Sequence, residues 1–146
     1  MSSAGITAVG DIITLLEDNW TSANTDNKTP TFSDNLRKAW EDVTTGTSDY
    51  LYVKYDTERV KTGLYAADFF HTVALSIEVI VPAFGNTADA THFRRVLQEV
   101  ARIIKANARN TGYAYTLMRG STARFNRDRN LYVGSIDVDV MKVLTS

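Results

Sequence analysis

Hydrophobic and polar positions alternate with period two from Phe69 to Val81, FFHTVALSIEVIV. Val73, Leu75, Ile77, Val79 and Val81 fall on one side, and Thr72, Ala74, Ser76, Glu78 and Ile80 on the other. The β-branched content and the lack of glycine predict a long central strand, ended by Pro82, which has no N–H for a ladder. Its second side suits neither open water nor a dry interior. That side is expected to be partly covered, by other strands' side chains or by another subunit.

Around this strand the chain divides readily. Ile6, Val9, Ile13, Leu16 and Trp20 step by three and four, which predicts a helix over about residues 4–20. Thr21 to Pro30 is polar and turn-rich. Residues 31–43 fit a helix by spacing and a short strand by position, and the pattern leaves both open. Tyr50 to Asp56, YLYVKYD, alternates as a strand, and Thr57 to Asp68 follows as a long charged connection before the central strand. Phe93, Val96, Leu97, Val100, Ile103 and Ile104 form a second helical stripe of about 20 residues, with Asn110 and Gly112 as closing caps. Tyr113 to Arg119 reads as a short strand and Gly120 to Asn130 as a basic loop. Leu131 to Leu144 is the closing strand, with a bulge expected at Gly134 because Leu131 and Val133 have the opposite parity to Ile136.

The order is α-β-β-β-α-β-β, a single domain over residues 1–146. Two amphipathic helices each have one face to bury. The expected fold is therefore α+β, an antiparallel sheet of four to five strands with both helices on one face. The opposite face is left over, and function is expected there.

Bulk properties narrow the classes. The 146 residues include no cysteine, which excludes disulfides, thiolate metal sites and a cysteine nucleophile. A net charge of −1 argues against bulk attraction to nucleic acid or anionic membrane, and no apolar run approaches a membrane span. The first residues lack the basic and apolar regions of a secretory signal, so a cytoplasmic site of assembly is expected. His71 and His92 have no second histidine or carboxylate at metal-ligand spacing. Asp137 and Asp139 share one side of the last strand, with Glu78 near them in the sheet; such carboxylates can bind a cation, and more commonly form a solvated strand face. Arg119, Arg124, Arg127 and Arg129 against Asp128 give residues 119–129 a local charge of +3, with Phe125 among them. That mixture suits stacked nucleotides or protein docking. No phosphate-binding, nucleophile-elbow or dinucleotide motif is present, so neither an enzyme nor a cofactor is expected.

The layout resembles the tail terminator (tail-completion, minor tail) proteins of long-tailed viruses and phages. The resemblance lies in the helix IITLLEDNW, the strand YLYVKYD, the hairpin TERVKTGLYAADFF leading into HTVALSIEVIV, the helix FRRVLQEVARIIKANARN and the strands around LYVGSIDVDVMKV, over about residues 4–144. It implies a structural virion protein at the tail–neck junction, a homo-oligomer forming a hexameric ring. Such a ring caps the tail tube protein, ends tail polymerisation and meets the head-connector or adaptor protein, with viral DNA passing through the lumen unbound. On that reading Glu58, Arg59, Lys61, Leu64 and Tyr65 form a subunit-interface arm. Glu78, Asp137 and Asp139 face the lumen or a partner, and Arg119, Arg124, Phe125, Arg127 and Arg129 form a docking loop. The alternatives are a head-completion or neck adaptor, a tail-tube-related subunit, a small nucleic-acid-binding protein, or a metal-dependent hydrolase using Asp137, Asp139 and Glu78.

Overall fold

A computed structural model describes residues 3–34, 49–62, 68–82, 87–108, 115–126 and 131–145. Helix α1 spans Ser3–Asn19 and is followed by a 3-10 turn, Ser22–Thr25. Strand β1 is Thr31–Ser33, β2 Tyr50–Thr62 and β3 Asp68–Pro82. Helix α2 is Thr87–Ala106, and β4 (Tyr115–Asn126) and β5 (Leu131–Thr145) complete the chain. The five strands form one sheet in the order β1-β2-β3-β5-β4.

The sheet is mixed rather than antiparallel throughout. β1 runs parallel to β2, with Thr31 opposite Tyr50 and Ser33 opposite Tyr52, while β2-β3, β3-β5 and β5-β4 are antiparallel. A parallel neighbour needs a long crossover, and residues 35–48 lie between the two strands. Most of the ambiguous 31–43 segment lies outside the described residues; its first three residues are the strand.

The alternation in β3 places Val73, Leu75, Ile77, Val79 and Val81 in the core. The register aligns Val53, Ile77 and Ile136, and next to them Tyr55, Leu75 and Val138, so three strands contribute to each layer. Ala8, Val9, Ile12 and Leu16 from α1 and Phe93, Val96, Val100, Ile103 and Ile104 from α2 close over that same face. Each fully buried aliphatic side chain contributes about 1.5–3 kcal/mol relative to exposure. The Asn19 side chain caps α1 by donating to Leu15 O at 2.9 Å. Asn107 ends α2 in the same manner, its backbone and side-chain N–H groups both meeting Ile103 O. The expected caps Asn110 and Gly112 lie outside the described residues.

Gly134 is not a bulge. β5 pairs with β3 without interruption from Leu131 to Thr145, and the irregularities fall instead between Tyr55 and Thr57 and between Met118 and Gly120. Leu131 and Val133 have the opposite parity because they serve a second small cluster, with Tyr50 and Ile80, on the other face of the sheet. Gly134 answers a different need, the close approach of α2. A Cβ there would stand 2.8 Å from Phe93 Cζ and 3.0 Å from the Thr122 carbonyl.

Candidate functional site

The surface left by the helix layer is the second face of the sheet, with its two edges. Along β3 this face carries Thr72, Ala74, Ser76, Glu78 and Ile80. Their partners on β5 are Met141, Asp139, Asp137, Ser135 and Val133. The face is graded: apolar at the Tyr50–Ile80–Leu131 end, small and acidic in the middle, and charged where Arg119 meets Asp139. Thr72 and Ser76 are buried, so neighbouring side chains already shield the middle of the central strand.

The three carboxylates share this face but do not converge. Asp137 lies between Ser76 and Gly120 in the register, Asp139 between Ala74 and Leu117, and Glu78 faces Tyr52 and Ser135. Arg119 Nε donates to Asp139 Oδ1 at 2.7 Å. That pair closes one end of a shallow groove lined also by Thr57, Glu58, Thr72 and Ala74. Burial raises the Tyr52 phenol above its ordinary value, and the Glu78 carboxylate beside it adds to the rise. Among the described residues no group of three or more histidine, aspartate or glutamate side chains is placed to hold a metal ion.

The expected interface arm is strand rather than loop at its base. Thr57–Thr62 continue β2, and the ladder to β3 runs to Thr62 opposite Phe69. The charged sequence TERVKT conceals this because it has no apolar alternation. Glu58 bonds His71 across the ladder, its Oε2 2.8 Å from Nε2. The backbone of Arg59 and Lys61 belongs to β2, while their side chains, like Leu64 and Tyr65, lie outside the described residues.

The expected basic loop is likewise strand. Gly120–Asn126 pairs with Asp137–Leu131, so Arg119, Arg124 and Phe125 stand on an edge strand and not on a flexible loop. Small and charged residues hide the strand's period, and the extra residue at Arg119 breaks it. Phe125 is 43% exposed and packs on Tyr132 at 4.9 Å, which in turn stacks on Phe93 at 5.3 Å. Arg127 and Arg129 lie outside the described residues.

Two polar clusters on α2 join partners that sequence reasoning did not connect. Glu99 is buried and accepts hydrogen bonds from the Thr21 amide at 2.7 Å, Asn24 Nδ2 at 3.1 Å and Arg102 Nε at 2.5 Å. His92 lies between Asp26 and Asp49. Both residues fall on the buried side of the helix by spacing, Glu99 three after Val96 and four before Ile103, and a polar residue inside an apolar stripe is the signal that marks them. Apart from Arg102, their partners are 43 to 78 residues away, which no local pattern reveals. Among the described residues no helix is long and apolar enough to cross a membrane. Neither a protein-family model nor a curated protein sequence matches the chain.

Proposed function

We propose that the chain is a structural subunit that joins copies of itself head to tail in a ring. The ring caps a virion tail tube, ends its growth and meets the head connector. What carries this reading is the pair of edges on opposite sides of one sheet. Take β2 as running up; β3 then runs down, β5 up and β4 down. Rotating a copy about a ring axis brings its up-running β2 beside the first copy's down-running β4, an antiparallel pairing. Such heterologous contacts form rings where the rotation closes.

The open stretches also favour curvature. Among the described residues β1 covers the outer edge of β2 only at Tyr50–Tyr52. On β4 the Thr116 amide is taken by Ala108 O at 2.8 Å, and among the described residues no strand lies on the outer edge of Gly120–Asn126. Thr122 is level with Ser135, Glu78 and Tyr52, so the open part of β4 is level with the covered end of β2. Neighbouring copies must therefore slide by about six residues, roughly 20 Å at about 3.3 Å per residue. Four strands are roughly 19 Å wide at about 4.8 Å spacing. The resulting slope of about 45° is at the upper end of the 35–45° tilt at which sheets close into barrels. The acidic Glu78–Asp137 face then lies at the lumen or against the tube and connector.

Two variants test the ring by mass photometry and negative-stain microscopy. Ala123 shares the ladder parity of Thr116, so its amide faces the outer edge. Ala123→Pro is expected to keep a folded protomer and lose the ring, since proline removes an edge donor without touching the β5 ladder. Deleting residues 60–67 is expected to spare the fold and weaken assembly. Full rings from both variants would end the reading. A DNA affinity that falls steeply with salt and is lost with Arg124→Ala would favour a nucleic-acid-binding protein instead.

A further inference from the structure

Away from the sheet surface, α2 carries a buried polar cluster that ring formation does not use. His92 is 7% exposed. Its Nδ1 is 2.8 Å from Asp26 Oδ2 and its Nε2 is 2.5 Å from Asp49 Oδ2. Asp26 also accepts a hydrogen bond from Arg95. Asp49 is buried, and its backbone carbonyl receives the Thr31 amide at 2.9 Å. One imidazole thus ties together the turn after α1, the start of β1 and β2, and the first turns of α2. Further along the helix Glu99 and Arg102 pair with each other and with Thr21 and Asn24, not with His92. Among the described residues the charged groups facing the ring are therefore Asp26, Asp49 and, through Asp26, Arg95.

Hydrogen-bond chemistry constrains this arrangement. An ionised carboxylate only accepts, and a neutral imidazole donates from one nitrogen alone. Carboxylate oxygens against both nitrogens require a proton on each contact, carried by the ring or by one of the acids. In either case the cluster holds one proton more than a neutral ring with two carboxylates. With the proton on the ring, two cations face two anions and the cluster is neutral.

We propose that His92, Asp26 and Asp49 form a proton-operated latch that fastens β1 and residues 21–28 to α2 and opens when rising pH removes the shared proton. Glu99 holds the start of this segment through Thr21 and Asn24, and Phe32 packs on the core; between them the latch holds Asp26 and Asp49. β1 pairs with β2 over only three residues, and its first amide depends on the Asp49 carbonyl. Loss of the proton leaves the buried Asp49 carboxylate or Asp26 facing a nitrogen lone pair, which is repulsive. The contribution to stability is thus present while the shared proton is bound and is lost as rising pH removes it. On the acid side the hydrogen bond from His92 holds Asp26 below the ordinary aspartate value, so the latch stays closed until that carboxylate is protonated.

The test uses the full chain and two readouts. Nitrogen-15 NMR of the imidazole is expected to show both ring nitrogens, or one nitrogen and an adjacent carboxyl, bearing protons at pH 7.5. Amide exchange, corrected for its intrinsic pH dependence, is expected to lose several-fold in protection at Asn27, Lys28 and Thr31 between pH 6.5 and 8.5. Amides of β3 serve as the unchanged reference. In His92→Gln the protection at those three amides is expected to be low at both pH values. A neutral ring beside two ionised carboxylates at pH 6.5 would overturn the proposal, and so would three amides that track β3 across the range. Should His92→Gln not fold, the two wild-type measurements decide the matter alone.

Discussion

Replacing Arg102 by alanine is expected to destabilise the protein by about 2–3 kcal/mol at pH 7, well above the 0–1 kcal/mol of an ordinary surface ion pair. Arg102 itself is 44% exposed, whereas the Glu99 side chain is 1% exposed. The asymmetry decides the magnitude, because the truncation leaves a buried carboxylate rather than a solvated cation. Arg102 also donates to Asn19 O at 3.0 Å, so the same change loosens the end of α1. Burial pushes the Glu99 carboxyl up, and the hydrogen bonds from Arg102, the Thr21 amide and Asn24 outweigh it, leaving it below its ordinary value. A carboxylate held low contributes stability that is present above its unfolded value, near 4.3, and lost as pH falls through the folded value. Without Arg102 the balance tilts toward burial, the Glu99 value rises, and protonation then favours the folded state. The penalty of Arg102→Ala should therefore shrink as pH falls from 7 to 4. Urea denaturation of both proteins at those two pH values checks this, and a difference that stays constant, or is below about 0.5 kcal/mol at pH 7, would show that the buried carboxylate does not depend on its arginine.

The parts of the fold that were legible are those whose burial is one-sided and regular. β3, β5 and α2 announce themselves because Val73 to Val81, Ile136 to Val140 and Phe93 to Ile104 keep one period against a single core. The second half of β4 and the distal part of β2 do not. TERVKT and GSTARFN carry no regular apolar alternation, so they read as connections although both are strand. β1 stayed open between strand and helix because three residues carry no pattern, and only its parallel direction was beyond reach. For the candidate surface, the sequence placed Glu78, Asp137 and Asp139 on one side correctly by parity but could not show that Arg119 pairs with Asp139. Arg119 is the extra residue beside Gly120, and no local pattern in the sequence marks that irregularity.

Gly134 carries the second large effect, and it separates a close-approach glycine from a bulge glycine. At a bulge on the surface, alanine would cost a few tenths of a kcal/mol. Under α2 its Cβ meets Phe93 Cζ at 2.8 Å, the Thr122 carbonyl at 3.0 Å and Leu97 Cδ2 at 3.1 Å. None of these yields easily. Thr122 O is backbone in β4, and Phe93 is 4% exposed and stacked on Tyr132 with 22° between the rings. Gly134→Ala is therefore expected to destabilise by about 2–3 kcal/mol, as overpacked cores do. At about 3 °C per kcal/mol for a chain of this length, the melting temperature should fall by roughly 6–9 °C. The cause can be tested within the molecule, because Phe93→Leu removes the ring atom closest to the new methyl. In the double variant the loss from Gly134→Ala should be smaller than in the wild-type background, a coupling that distant sites do not show. Strictly additive losses would place the strain on the Thr122 carbonyl and thus on the β4–β5 ladder, and an unchanged melting temperature for the single variant would mean that α2 sits farther from the sheet than its contacts require.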